Sequence, residues 1–421
     1  MKRNVFALLL LAAFAVQPAA TARAQAVRIT PAERKIAEGV TAAQLRDYLY
    51  FVASDEMEGR DTPSRGLDTT AKFIAMNLSR WGFKPAGDDG TYFQKIALNR
   101  ELADPETTTL RIGGKAMTFG DDFVRARGSG TAEGTMVFGG DGWMVKSKGI
   151  DAFKGVDVRG KVVVLYGTQY NPATLISSPT GVTSADIAGT KGVDWADPIT
   201  YAAQKGAAGV LIVAPPQFQS DWAQVRTTYA GGRLYPEKLR PQAGAPIPPV
   251  MFVTQQAADT IFAGESGDKT SPAAFAINKT ASIAAATKPD TVWTQNVIAI
   301  WEGRDPVLKS EMVAIGAHYD HVGINPNAKG DDKIYNGADD DGSGTVSVLS
   351  IAEALARAPA RPKRSVLFVW HCGEEKGLWG SEYFNKFPTV NIKNVVAQLN
   401  IDMIGRSKKT DDTNPKNKDL S

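Results

Sequence analysis

The chain has 421 residues, 43% hydrophobic and 22% charged, which excludes a disordered tail or fibrous repeat and leaves room for two or three domains of about 100–200 residues each. Lys+Arg 48 against Asp+Glu 45 gives a net charge of +3, and three of the positive charges (Lys2, Arg3, Arg23) lie in a leader without acidic residues. The remainder is close to neutral and has no basic block, which argues against nucleic acid as a partner. One cysteine, Cys372, excludes an internal disulfide framework, and with only three histidines (His318, His321, His371) any metal site must lean on carboxylates.

Lys2 and Arg3 precede an apolar run from Phe6 to Val16, and small-x-small patterns follow at Ala22–Ala24 and Ala24–Ala26. This pattern is that of a secretory signal peptide cleaved near Ala24 to Ala26. The run is shorter than the roughly 20 residues that cross a hydrocarbon core, no later stretch is long enough, and no cysteine follows for lipid attachment. The expectation is export to a bacterial periplasm or the medium with no membrane anchor.

Thr41-Ala42-Ala43-Gln44 reads as a capping box, with Leu45, Tyr48, Leu49 and Val52 at helical spacing behind it. Leu67, Ala71, Ile74 and Leu78 predict a second helix that stops near Gly82. Between them, Asp55 to Arg60 reads as a solvated charged loop. From about residue 126 to 290 the texture changes to Gly-rich segments with short apolar runs at 162–165, 210–213 and 250–253, joined by a small-residue helix near Tyr201–Gly209 and long loops. This predicts a compact α+β module with no catalytic group. After residue 290, apolar runs at 296–301, 312–317, 365–372 and 395–401 surround a helical pattern over 344–358. The fold class expected is α/β, with a mostly parallel central sheet flanked by helices.

Polar clusters follow these strand patterns at once: His318-Tyr319-Asp320-His321, then Gly373-Glu374-Glu375, then Asp402. Ligands of open α/β sheets bind outside the carboxyl ends of strands. A fourth group, Asp339-Asp340-Asp341, opens the helix at 344. Carboxylates gathered together repel unless a cation or bound protons offset the charge, and with imidazole present the natural cation is zinc. His318 and Asp320, at i and i+2, share a side if the extended backbone persists, so that Asp320 orients the imidazole. Glu374 and Glu375 diverge, one as metal ligand and one as proton acceptor. Position alone does not say which, nor which of the three aspartates is the ligand.

Ala317–His321, Gly337–Gly344, Glu374–Ser381 and Asn400–Arg406, in this order, resemble the co-catalytic dizinc aminopeptidase family of bacterial leucyl aminopeptidases, aminopeptidase Y, glutamate carboxypeptidase II and the glutaminyl cyclases. The 126–290 module resembles the protease-associated domain that many members carry as an insertion, Gly206–Val210 being its most telling match. Beside the leader at 1–26, the resemblance implies a discontinuous peptidase domain at 27–125 and 291–421, with the insertion at 126–290. It also implies two zinc ions bridged by Asp340, with His318 and Asp402 completing one site and Glu375 belonging to the other. Glu374 is then the general base that takes a proton from metal-activated water, Asp320 the partner of His318, and Met403 a residue lining the substrate pocket. The implied activity is removal of N-terminal residues from peptide substrates. A non-catalytic receptor-like binding protein and a glutaminyl cyclase are the alternatives.

Family members take a further histidine ligand from well downstream of the Asp402 motif, whereas here 19 residues follow Asp402 and Ser407–Ser421 holds no histidine. The chain therefore reads as a C-terminally truncated member whose second zinc site lacks its expected histidine and whose own activity is in question. His321 is expected near the first metal and His371 in the core or the sheet. Oligomeric state and residue preference have no signature in the sequence.

Overall fold

The computed structural model describes residues 29–239, 247–267, 273–326 and 328–405. The leader and Ser407–Ser421 lie outside the described residues. Helix α1 (Ala42–Val52) is capped by Thr41, whose hydroxyl accepts the Gln44 N–H. The reciprocal half of the expected box is replaced, because the Gln44 side chain reaches Glu353 instead. Helix α2 (Arg65–Arg80) buries Leu67, Ala71, Ile74 and Leu78 on one stripe. At about 1.5–3 kcal/mol for each fully buried large aliphatic side chain, that stripe is what holds the helix to the sheet. Gly82 follows the helix with φ +79, as a stop signal requires.

The main sheet is built from β1 (Phe93–Ala103), β2 (Thr287–Trp301), β3 (Met312–His318), β4 (Ser365–His371) and β5 (Val395–Asn400), in the spatial order β1-β2-β4-β3-β5. The short strand Arg233–Pro236 pairs outside β1, and Lys84–Pro85 pairs with β2. Only β4-β3-β5 are parallel; β1-β2 and β2-β4 are antiparallel. The expectation of a mostly parallel sheet is corrected to a mixed one. The reason lies in the connections: β2 reaches β3 through the short stretch 302–311, too short for the crossover that parallel strands need. Helix α3 (Gly344–Arg357) and helix α4 (Trp379–Lys386) do cross over, between β3 and β4 and between β4 and β5.

Both faces of the sheet are covered at β2, β3 and β4, which explains their unbroken apolar runs, whereas β5 leaves Val396 and Leu399 exposed. Val297, Ala299, Phe368 and Trp370 join α2 residues and Val348, Leu349 and Ala352 of α3 in one core. Ile298, Leu367 and Val369 point the other way and meet Met312, Ala314 and Phe384.

A second sheet of eight strands lies between β1 and β2 in sequence, its strands running from Thr109–Ile112 to Phe275–Ala285. Its centre, 130–138, 162–166, 209–213 and 250–253, is parallel, and its faces bury two further cores. Three of its strands, Thr109–Ile112, Lys115–Met117 and Phe123–Arg127, begin before residue 126, and Arg233–Pro236 belongs to the main sheet instead. No helix among the described residues is long and apolar enough to cross a membrane.

Candidate metal centre

The parallel strands carry the chemistry at their carboxyl ends. His318 closes β3 level with His371 on β4, and Tyr319 N–H donates to the His371 carbonyl at 3.0 Å. The Thr345 hydroxyl, on the first turn of α3, donates to the His318 carbonyl at 2.6 Å. Strand end and helix start are thereby tied together, and His318 is 4% exposed.

The three aspartates before α3 have different surroundings. Asp341 is buried and accepts the N–H groups of Gly344 and Met403 at 2.9 and 3.0 Å. Asp339 accepts from the Ser343 hydroxyl and from Gly405 N–H at 2.8 Å. Both aspartates thus hold the 403–405 backbone, and Asp340 alone faces the imidazoles. Gly344 is required here, because a Cβ would meet the Ile401 carbonyl at 2.4 Å and the Asp341 carboxylate at 2.5 Å.

His318 Nε2 lies 3.2 Å from Asp340 Oδ1, 3.8 Å from Asp402 Oδ1 and 3.9 Å from Glu374 Oε2. Its Nδ1 is 3.2 Å from the Asp320 carbonyl and 3.5 Å from Asp320 Oδ1, so the nearer partner is backbone. Asp320 Oδ1 also accepts the Glu374 N–H at 3.1 Å, joining the ends of β3 and β4. His318, Asp340 and Asp402 offer donor atoms that all lie within 4.8 Å of one another. Met403 is half-buried beside Asp402.

Burial pulls the His318 pKa down, but the hydrogen bond and charge of Asp320, with Asp341 and Glu374, outweigh it and raise the group to about 9. Burial, then the charges of Glu375, Asp320 and Asp402, push Glu374 above the ordinary carboxylate range against the opposing effect of His318. A proton on His318 therefore stands where a cation is wanted. Zinc uptake at pH 7 should release about one proton, and apparent affinity should rise with pH until about 9. Calorimetry in buffers of different ionisation enthalpy reads this directly; an uptake that releases no proton contradicts it.

A second donor group is formed by His321, Asp340 and Glu375, again within 4.8 Å. His321 Nδ1 is 2.7 Å from Glu375 Oε1. His321, expected near the first position, groups with Glu375 rather than with Asp402. β3 ends at His318, and the His321 N–H turns to donate to the Arg60 carbonyl at 3.1 Å. His371 belongs to neither group. It is buried, faces Phe384 at a ring distance of 6.2 Å, and burial lowers its pKa to about 4.

Two residues under the site had no signal in the sequence pattern. Arg60 is fully buried, and its guanidinium donates to the carbonyls of Val52, Tyr319, Asn336 and Gly337. Thr62 accepts the Gly373 N–H at 3.0 Å. The loop expected to be solvated instead buries Met57, Gly59 and Arg60, leaving Asp55 and Glu56 outside.

The donor chemistry fits zinc. Imidazole and carboxylate are its ordinary ligands in the absence of thiolate. Asp320 Oδ2 and Asp341 Oδ2 are buried without a hydrogen-bond partner, so the centre holds more negative charge than its own donors satisfy.

Residues 296–421 match the sequence profile described as Peptidase family M28. The chain is 36% identical over 111 residues to leupeptin-inactivating enzyme 1 of Streptomyces exfoliatus, covering 26% of this chain and 22% of that protein. It is 36% identical over 132 residues to a probable leucine aminopeptidase of Arthroderma otae, covering 30% and 34%. With aminopeptidase Y of Saccharomyces cerevisiae it shares 40% over 91 residues, covering 22% and 14%. The matched stretches thus span about a third or less of these relatives. Among solved structures, an aminopeptidase from Aneurinibacillus sp. strain AM-1 aligns over 89% of this chain and 73% of its own at 18% identity and a TM-score of 0.46. Every donor of the two groups lies inside the stretch, residues 296–421, that matches Peptidase family M28.

Proposed function

We propose that the protein is an exported zinc aminopeptidase that hydrolyses N-terminal residues from peptides. The observation that carries this reading is the convergence of His318, Glu374 and Asp402, at the ends of adjacent parallel strands, on Asp340 ahead of α3. The names of the relatives, leucine aminopeptidase and aminopeptidase Y, supply the reaction class. His318, Asp340 and Asp402 would hold one zinc ion, and Asp340 with Glu375 a second. Zinc held there supplies Lewis acidity that no side chain of the centre can provide.

Glu374 is the proton carrier in this reading. It stands 3.9 Å from His318 Nε2, belongs to neither donor group, and its raised pKa brings it nearer neutrality than a free carboxylate. It takes the proton of the attacking water and passes it to the leaving amine. Asp320 holds the Glu374 backbone and the His318 ring in place. Met403, beside Asp402, lines the substrate side. The eight-stranded sheet between β1 and β2 is the inserted protease-associated module, and the leader directs export to the periplasm or the medium.

Hydrolysis of an aminoacyl anilide by the zinc-loaded protein, abolished by chelator and restored by zinc, is the expected result. Pyroglutamate formation without hydrolysis would assign a glutaminyl cyclase instead. Zinc-loaded protein inactive on both substrate types would favour a non-catalytic binding protein.

A further inference from the structure

We infer that Thr62 and Asn296 are positioning residues for Glu374, acting with Asp320 through the backbone that carries it. The inference rests on the metallopeptidase reading, in which Glu374 is the proton carrier, and names the residues that aim it.

Strand β4 ends at His371, and the chain leaves the sheet while Cys372 and Gly373 are still buried. Beyond the ladder their N–H groups need other acceptors, since a buried N–H left unpaired is costly. Three consecutive N–H groups are each taken by a different side chain. Asn296 Oδ1 accepts from Cys372 at 3.0 Å, Thr62 Oγ1 from Gly373 at 3.0 Å and Asp320 Oδ1 from Glu374 at 3.1 Å. All three acceptor residues are fully buried, and they come from β2, from just after the Asp55–Arg60 turn and from just past β3. The backbone is thus fixed from three directions immediately before the Glu374 side chain.

Asn296 also closes the neck of the loop. Its Nδ2 donates to the Gly380 carbonyl at 2.9 Å, and the Gly380 N–H donates to the Cys372 carbonyl at 2.8 Å. A Cβ at Gly380 would meet Asn296 Oδ1 at 2.3 Å, so glycine is what lets the amide reach both sides. The same Nδ2 donates to Gln94 Oε1 at 2.8 Å, and Gln94 Nε2 donates to the Phe387 carbonyl at 2.7 Å, past the end of α4. A shift of the loop therefore breaks several buried bonds at once. The Glu374 carboxylate, 3.9 Å from His318 Nε2, inherits that rigidity. The competing account is a structural role, in which these bonds stabilise the fold without aiming the carboxylate.

Thr62→Val keeps the shape of the side chain and removes the acceptor, whereas Thr62→Ser retains it. In zinc-loaded protein T62V should lower kcat on an aminoacyl anilide by about 10–100-fold, the scale of a misplacement near 1 Å. KM and zinc content should hold, and T62S should recover most of the loss. Asn296→Leu, which removes the amide at nearly constant volume, should show the same pattern as T62V. In the Glu374→Gln background T62V should bring no further fall, because positioning acts only through the carboxylate. An equal fall in both backgrounds, loss of zinc together with kcat, or an unchanged kcat in T62V overturns the assignment and leaves the metallopeptidase reading intact. Zinc-loaded wild type inactive on the anilide overturns that reading instead. Hydrogen exchange of the wild type needs no variant: Cys372–Glu374 should exchange as slowly as β4, and exchange at the rate of the exposed turn 376–378 overturns the clamp however the variants fold.

Discussion

Glu374→Gln should lower turnover on an aminoacyl anilide by about 10²–10⁴-fold, the usual contribution of a positioned general base. Zinc content should not change, because Glu374 is absent from both donor groups although it stands beside them. The substitution keeps the shape of the side chain and the backbone N–H that Asp320 holds at 3.1 Å, so the loss should fall on kcat with little change in KM. Asp402→Asn is the informative contrast: it weakens a donor of the first position, so zinc should be lost together with activity. A Glu374→Gln protein with full zinc and more than a tenth of the wild-type kcat would remove Glu374 from the base role.

How much of this was legible in the sequence depends on whether a residue acts through its own strand or through a neighbour. The positions of His318, Glu374 and Glu375 were readable because they close or soon follow buried apolar strands, and that of Asp402 because it follows the apolar run of β5. Asp340 was readable only as one of three, since its neighbours' bonds to Gly344, Met403 and Gly405 depend on a loop from elsewhere in the chain. His321 was not readable, because its backbone is turned by a bond to the Arg60 carbonyl, far away in sequence. The sheet's mixed direction was missed for a related reason: an apolar run reports burial on both faces, and only the length of the connection reports direction.

Arg60 is the case the pattern hid most completely, and its removal should have a large effect on stability. Arg60→Ala should cost about 3–5 kcal/mol, the range for breaking a buried charged network. The guanidinium satisfies carbonyls at the end of α1, at Tyr319 between His318 and Asp320, and at Asn336 and Gly337 below the His321 ring. Alanine leaves these groups facing a cavity, each at about 1–3 kcal/mol less whatever water recovers. Burial lowers the arginine pKa to about 10 against the pull of Asp320, Asp341, Asp340 and Glu375, so the side chain remains charged at neutral pH and offsets their repulsion. Arg60 sits at φ +50, where alanine carries the same Cβ as arginine, so the comparison reads the side chain. Lysine, one ammonium against four carbonyls spread around the fork, should recover only part of the loss. Because zinc also neutralises the carboxylates, the deficit should be larger in chelator than in saturating zinc when urea unfolding is compared in the two media. Equal midpoints for wild type and Arg60→Ala in chelator would mean that the four carbonyls find other partners and that the centre does not depend on this buried charge.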